Sequence, residues 1–216
     1  MPHVRQRNDL MSNIDYEEWQ AQEDALTDYY EIFRDSFVTE LADSPQSAVR
    51  KRHHEIILDF RTELDFAKTA FEDAERARGT TGTGWMSLLL AAYFSAYRAV
   101  EWYQSELGTA IAEAMAKPFS QYLKPGTRIT AREFFRPKVM GAFRNAVLDK
   151  TFEPLKLSKQ LKEFRKEHSD GRNDIAHSID RPTPAQTKSC VSDAIKLYNL
   201  LAKQLNRTNP VLLENV

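Results

Sequence analysis

Trp85-Met86-Ser87-Leu88-Leu89-Leu90-Ala91-Ala92-Tyr93-Phe94-Ser95-Ala96-Tyr97-Arg98-Ala99-Val100-Glu101 is the stretch that decides the fold. Its apolar residues cover most of a helical circumference, as in a helix that neighbours surround on several sides. No strand-like alternation of any length occurs elsewhere, and no repeat. A helix apolar nearly all round, in a chain of 216 residues with seven glycines and nine prolines, predicts an all-α helical bundle built around residues 85–107. The run carries Ser87, Ser95 and Arg98 and is too short to span a bilayer. Arg98, Glu101 and Ser105 fall at i, i+3 and i+7 and make one polar stripe on it.

Working outward, Leu26, Tyr29, Tyr30, Phe33, Phe37 and Leu41 recur at helical spacing over residues 14–42, and Asp43-Ser44-Pro45 ends that helix. A second helix is expected over 46–78, with Val49, Ile56, Ile57, Phe60, Leu64, Ala67 and Phe71 inward. His53 and His54 lie beside Arg50, Lys51 and Arg52 and read as part of an exposed basic face. Gly79-Thr80-Thr81-Gly82-Thr83-Gly84 is the clearest break in the chain. It lacks the lysine of a Walker-type loop, and no strand precedes it. It reads as a hinge between an N-terminal helical hairpin, residues 1–80 with the first 13 disordered, and a bundle over 84–209.

In that bundle, residues 108–124 form a moderately apolar helix that Pro118 kinks or ends. Thr130-Ala131-Arg132-Glu133 is a capping box opening the next helix. Residues 155–168 are amphipathic: Leu157, Leu161 and Phe164 lie inside, and Lys156, Lys159, Lys162 and Lys166 outside. The last helix starts at Thr183, with Pro184 at its first position and Gln186 completing a capping box.

Net charge is −1, but the sum hides an asymmetry. Residues 1–80 hold 10 Lys/Arg against 18 Asp/Glu, and residues 124–166 hold 12 against 4. The basic block either tracks a nucleic-acid backbone or pairs with the acidic third. One cysteine, Cys190, excludes an internal disulfide and reads as a small core residue. Residues 1–19 contain no apolar stretch of the secretory type, so a soluble cytoplasmic protein is expected. No paired Cys/His set has metal-ligand spacing and no G-x-S-x-G elbow occurs, which removes zinc enzymes and serine hydrolases from contention. Neither cofactor nor metal is expected.

The remaining chemistry sits in Gly171-Arg172-Asn173-Asp174-Ile175-Ala176-His177. Asp170 can cap a helix start, and Arg181-Pro182-Thr183-Pro184 must end it, so a short helix carries the motif. On it Asn173 and His177 lie within about 40° of each other, and Arg172 about 140° from His177. A cation in the first turn opposes the helix dipole by about 0.3–1 kcal/mol, but free N–H groups and a guanidinium there would converge on a phosphate. A histidine one turn on can carry a proton near neutral pH. His168 lies close enough to assist, although at a polar helix end it reads most simply as solvated.

R-N-D-I-A-H resembles the signature of the HEPN superfamily: arginine, a polar residue, a few more residues, histidine. The resemblance covers the motif and, more loosely, residues 84 onward. It implies a small helical bundle and a metal-independent endoribonuclease acting in toxin–antitoxin or anti-phage defence, with Arg172, Asn173 and His177 at the catalytic site. It also implies an acidic or polar residue on a long helix facing the motif, for which Glu101 is the first candidate and Arg98 the second. RNA is the expected substrate, bound along Lys156, Lys159, Lys162 and Lys166. A homodimer is expected, with a cognate antitoxin or defence-system protein as further partner. Some members are non-catalytic, so a binding or regulatory module that docks a protein or nucleic acid is the alternative. HEPN toxins that a nucleotidyltransferase antitoxin modifies often carry tyrosine two residues after the histidine; this sequence has Ile179.

Overall fold

The computed structural model of the chain describes residues 20–21, 49, 52–79, 82–120, 137–177, 181–205 and 208–216. The fold is all-α. Five helices are described: α1 over residues 52–77, α2 Gly84–Ser120, α3 Pro137–Thr151, α4 Leu157–His177 and α5 Pro184–Leu205. No strand occurs among the described residues, and none of their helices is long and apolar enough to cross a membrane. The expected helix over 14–42 apart from residues 20–21, the disorder of residues 1–13, the Thr130–Glu133 capping box and Ile179 lie outside the described residues.

The chain divides into two compact units: Val49–Gly108 with Leu148–Val216, and Met1–Ala48 with Thr109–Val147. The first holds α1, most of α2, α4 and α5. α1, the turn that follows it and residues 84–108 of α2 lie in one unit. α1 is inseparable from that unit because its apolar face is buried in it. Phe60 stacks on Tyr103 of α2 at 4.7 Å and meets Tyr198 of α5 edge-on at 5.9 Å. Val49, Phe60, Leu64, Ala67 and Ala74 are fully buried. At the turn itself, Gly82 has φ 138°, a conformation that a side chain resists.

α2 runs unbroken through Gly108 for 37 residues, so no separate helix begins there. Glycine within a helix costs only about 1 kcal/mol. The burial of Tyr103 and Leu107 in the preceding turns outweighs that. α5 opens as its capping box requires: the Thr183 N–H donates to Gln186 Oε1 at 2.9 Å, and the Gln186 N–H donates to Thr183 Oγ1 at 3.2 Å. After α5 the chain returns along it. Asn199 Nδ2 donates to the Leu213 carbonyl, the Leu213 N–H donates to Asn199 Oδ1, and the Tyr198 hydroxyl donates to the Val211 carbonyl.

The expected exposed histidine pair is split. His54 is exposed, but His53 is 1 % exposed and its Nε2 lies 2.9 Å from the Tyr103 hydroxyl. Its ring packs edge-on against Phe152 at 4.7 Å. His53 follows Val49 by four residues and precedes Ile56, so it belongs to the inward stripe of α1. Burial, and then the neighbouring His54, lower its pKa from 6.5 to about 4. Between those pH values the unfolded chain binds a proton that the folded chain refuses. The stabilisation is fully present above pH 6.5 and is lost as pH falls toward 4. Unfolding free energies measured at pH 7 and pH 4 should therefore fall by on the order of 3 kcal/mol more in the wild type than in His53→Gln. Equal losses in the two proteins would show that this imidazole titrates freely in the folded state.

Candidate functional site

The motif occupies the last two turns of a long helix. α4 runs without interruption for 21 residues, and Leu157, Leu161, Phe164, His168 and Ile175 form its buried face. This corrects the expected helix start at Asp170. Asp170 is exposed within the helix, and the inward stripe continues past it to Ile175. The cap that opens α4 is Asp149 of α3, whose carboxylate accepts from the Ser158 N–H and the Ser158 hydroxyl. The dipole argument reverses with this correction. Arg172 and His177 stand near the negative end of α4, where a cation is favoured and no free N–H groups await an anion.

Gly171 lies against Tyr93 of α2. A Cβ placed on it would meet the Tyr93 hydroxyl at 3.0 Å. That hydroxyl donates instead to the His168 carbonyl at 3.1 Å. His168 is 4 % exposed, not solvated as its sequence position suggests. Its Nε2 lies 3.1 Å from Asp193 Oδ2 of α5, and Lys196 Nζ donates to the other carboxylate oxygen at 2.9 Å. Burial alone would raise the Asp193 pKa. Hydrogen bonds from Lys196 and His168, with their charges, outweigh it and hold the carboxyl below its usual range.

Arg172 is half-buried, with its guanidinium carbon 5.8 Å above the Tyr97 ring and Nη1 donating to Asn173 Oδ1 at 3.0 Å. Among the described residues no carboxylate forms an ion pair with it. Tyr97 is 5 % exposed. Burial raises its pKa, Glu101 raises it further, and Arg165 and Arg172 oppose the rise. Glu101, Arg165 and Arg172 thus act on one phenol. Arg98 is directed elsewhere. It pairs with Glu63 of α1 at 3.6 Å rather than with Glu101.

Asn173 and His177 are both exposed. By helical geometry they share an outward face with Lys159, Lys162 and Lys166, all exposed, along about 27 Å of helix. Lys156, also exposed, precedes the helix with φ 54°. Glu163, Glu167, Asp170 and Asp174 fall on the adjoining sector, so the solvent side of α4 is basic along one flank and acidic along the other. The sequence reading missed Tyr93, Tyr97, Arg165 and Asp193. The spacing of Arg165 and Arg172, seven residues apart on one face, was the signal available.

No family model, curated protein or solved structure matches this chain. The motif's resemblance rests on the residues themselves, and their geometry carries the functional argument.

The contact at Gly171 can be tested by a double-mutant cycle. Alanine in place of glycine stabilises a helix interior by about 1 kcal/mol. Beside Tyr93 that gain should be cancelled by displacement of the hydroxyl from the His168 carbonyl, a bond worth about 1 kcal/mol. Gly171→Ala should thus be neutral or destabilising in the wild type and stabilising in Tyr93→Phe, with a coupling of about 1 kcal/mol. Identical effects of Gly171→Ala in both backgrounds would remove this account of the glycine.

Proposed function

We propose that α4 is the RNA-facing element of a metal-independent endoribonuclease of HEPN type. The observation that carries this reading is the state of Arg172: its guanidinium is held in place by an aromatic ring and an amide, and no carboxylate of the described residues neutralises it. An oriented, unneutralised guanidinium is suited to a phosphodiester. Because the end of α4 offers no free N–H groups, the side chains supply all of the phosphate binding.

In the reaction, the RNA 2′-hydroxyl loses its proton and its oxygen attacks the adjacent phosphorus. The bond from phosphorus to the 5′-oxygen breaks, and that oxygen takes up a proton. The products are a 2′,3′-cyclic phosphate and a 5′-hydroxyl. Arg172 stabilises the charge developing on the phosphoryl oxygens, and His177 moves the proton. Asn173 orients Arg172, and Glu101 polarises the Tyr97 side of the site. Arg172 and His177 diverge by about 140° on one helix, so one phosphate meets both more readily when a second copy of α4 faces the first across a twofold axis. A homodimer is part of this reading, as are a cytoplasmic setting and a toxin–antitoxin or anti-phage role with a cognate partner. That same divergence favours a second reading, a non-catalytic module that binds RNA or a protein along α4.

Incubating RNA with the protein in EDTA separates the two. The nuclease reading expects cyclic-phosphate ends, lost by about 10²–10⁴-fold in His177→Ala. The melting temperature should not change, because the side chain is exposed. Cleavage by His177→Ala at the wild-type rate sinks the assignment, and binding without cleavage favours the module. Either reading gives the lysine row a role. Replacing Lys159, Lys162 and Lys166 with glutamine should reduce the slope of log affinity for single-stranded RNA against log salt by about 2. An unchanged slope would place the RNA elsewhere.

A further inference from the structure

The carboxylates of α4 all lie on one side of it. Glu163, Glu167, Asp170 and Asp174 are about 140–180° round the helix from both Arg165 and Arg172. The two arginines share the opposite flank, two turns and about 10 Å of helix apart, with Ser169 between them. Arg165 is exposed, and Arg172 and Ser169 are half-buried, so all three keep surface that a ligand can reach.

This placement leaves both guanidiniums without a counter-charge. The positions three and four residues to either side of them hold Leu161, Lys162, His168, Ser169, Ile175 and Ala176, none of them acidic. No helical ion pair of the usual spacing can form there. Lys159, by contrast, pairs with Glu163 at 3.7 Å. Neither arginine forms an ion pair with any carboxylate of the described residues, Glu101 of α2 included. The arginines nevertheless converge on one place. The Arg172 guanidinium lies over the Tyr97 ring. Burial and Glu101 raise the pKa of the Tyr97 hydroxyl, and the charges of Arg165 and Arg172 both lower it, so both arginines lie on the Tyr97 side of α4.

Their hydrogen-bonding capacity is also open. A guanidinium carries five N–H donors. Arg172 spends one on Asn173. The side chains of Arg165 and Ser169 donate to no group of the described residues. The Ser169 hydroxyl thus differs from those of Thr62 and Thr69, which bond to a carbonyl one turn back. The flank offers two planar forks and a hydroxyl, an array of donors carrying two positive charges. One fork satisfies both oxygens of a carboxylate. Two forks with a hydroxyl suit a phosphate, which has more acceptor oxygens to share among them.

We propose that Arg165 and Arg172, with the Ser169 hydroxyl between them, bind one phosphate group. That the phosphate belongs to an RNA strand rests on the RNA reading of α4, in which Arg165 is a second holder of the phosphate that Arg172 takes. A free phosphate or phosphomonoester presents the same chemistry.

The test is an NMR titration of the full-length protein. One arm uses inorganic phosphate, and the other uses short single-stranded RNA with a hydroxyl at both ends. The Nε–H signals of Arg165 and Arg172 and the amide of Ser169 should shift. Shifts with RNA identify a contact to the strand, and shifts with inorganic phosphate alone identify a site for the free ion. With whichever probe binds, Arg165→Gln should lower affinity about tenfold or more, the loss of a charge-assisted contact. Its melting temperature should match the wild type, because Arg165 is exposed and holds no ion pair. Lys159→Gln, which removes the same charge from the outward face, should lower affinity less. Absence of shifts with both probes, undiminished binding by Arg165→Gln, or an equal loss in Lys159→Gln overturns the proposal. Binding here without cleavage removes the nuclease reading alone, and RNA cleavage without these shifts removes this site alone.

Discussion

The Tyr93 hydroxyl occupies the space that a Cβ at Gly171 would need, and from there it donates to the His168 carbonyl. That contact ties α4 to α2, with one face of α4 turned toward it. With α4 so placed, Phe164 reaches Tyr97 at 5.9 Å and Arg172 comes to rest over the same ring. The same rotation turns Lys159, Lys162, Lys166, Asn173 and His177 outward. A second tether runs from His168 to Asp193, which Lys196 also holds, so α4 is pinned to α5 as well. Both tethers lie within four residues of Arg172. The buried side of α4 thus sets the position of its exposed side.

The direction of α4 has a chemical consequence. A motif at a helix start would draw phosphate with backbone N–H groups as well as side chains. A motif at a helix end cannot, and its cations are instead stabilised by the dipole of their own helix. Every contact to an anion must come from a side chain here. Arg165, Arg172 and the lysine row are the groups that could make those contacts.

Three histidines show how one residue type takes different settings according to what surrounds it. His53 is held neutral by burial among Tyr103 and Phe152. His168 is equally enclosed but faces a carboxylate. His177, at the end of the same helix, is exposed.

Periodicity in the sequence was enough to give the helical class, the inward residues of α1 from Ile56 to Phe71, the reciprocal cap of Thr183 and Gln186, the outward lysines of α4 and the burial of Cys190. These are local properties, set by spacing and by side chains within one turn of each other. The candidate site was legible only as a motif. Its polarity on α4, the enclosure of His168, the role of Gly171, the ring beneath Arg172 and the pairing of Arg98 with Glu63 were not. Each depends on a group distant in the chain: Tyr93 and Tyr97 lie on α2, Asp193 on α5 and Glu63 on α1. The same holds for His53, whose partner Tyr103 is 50 residues away. Spacing shows which side of a helix is apolar. Whether a polar group on that side is buried depends on a partner that only the packed helices bring within hydrogen-bond reach.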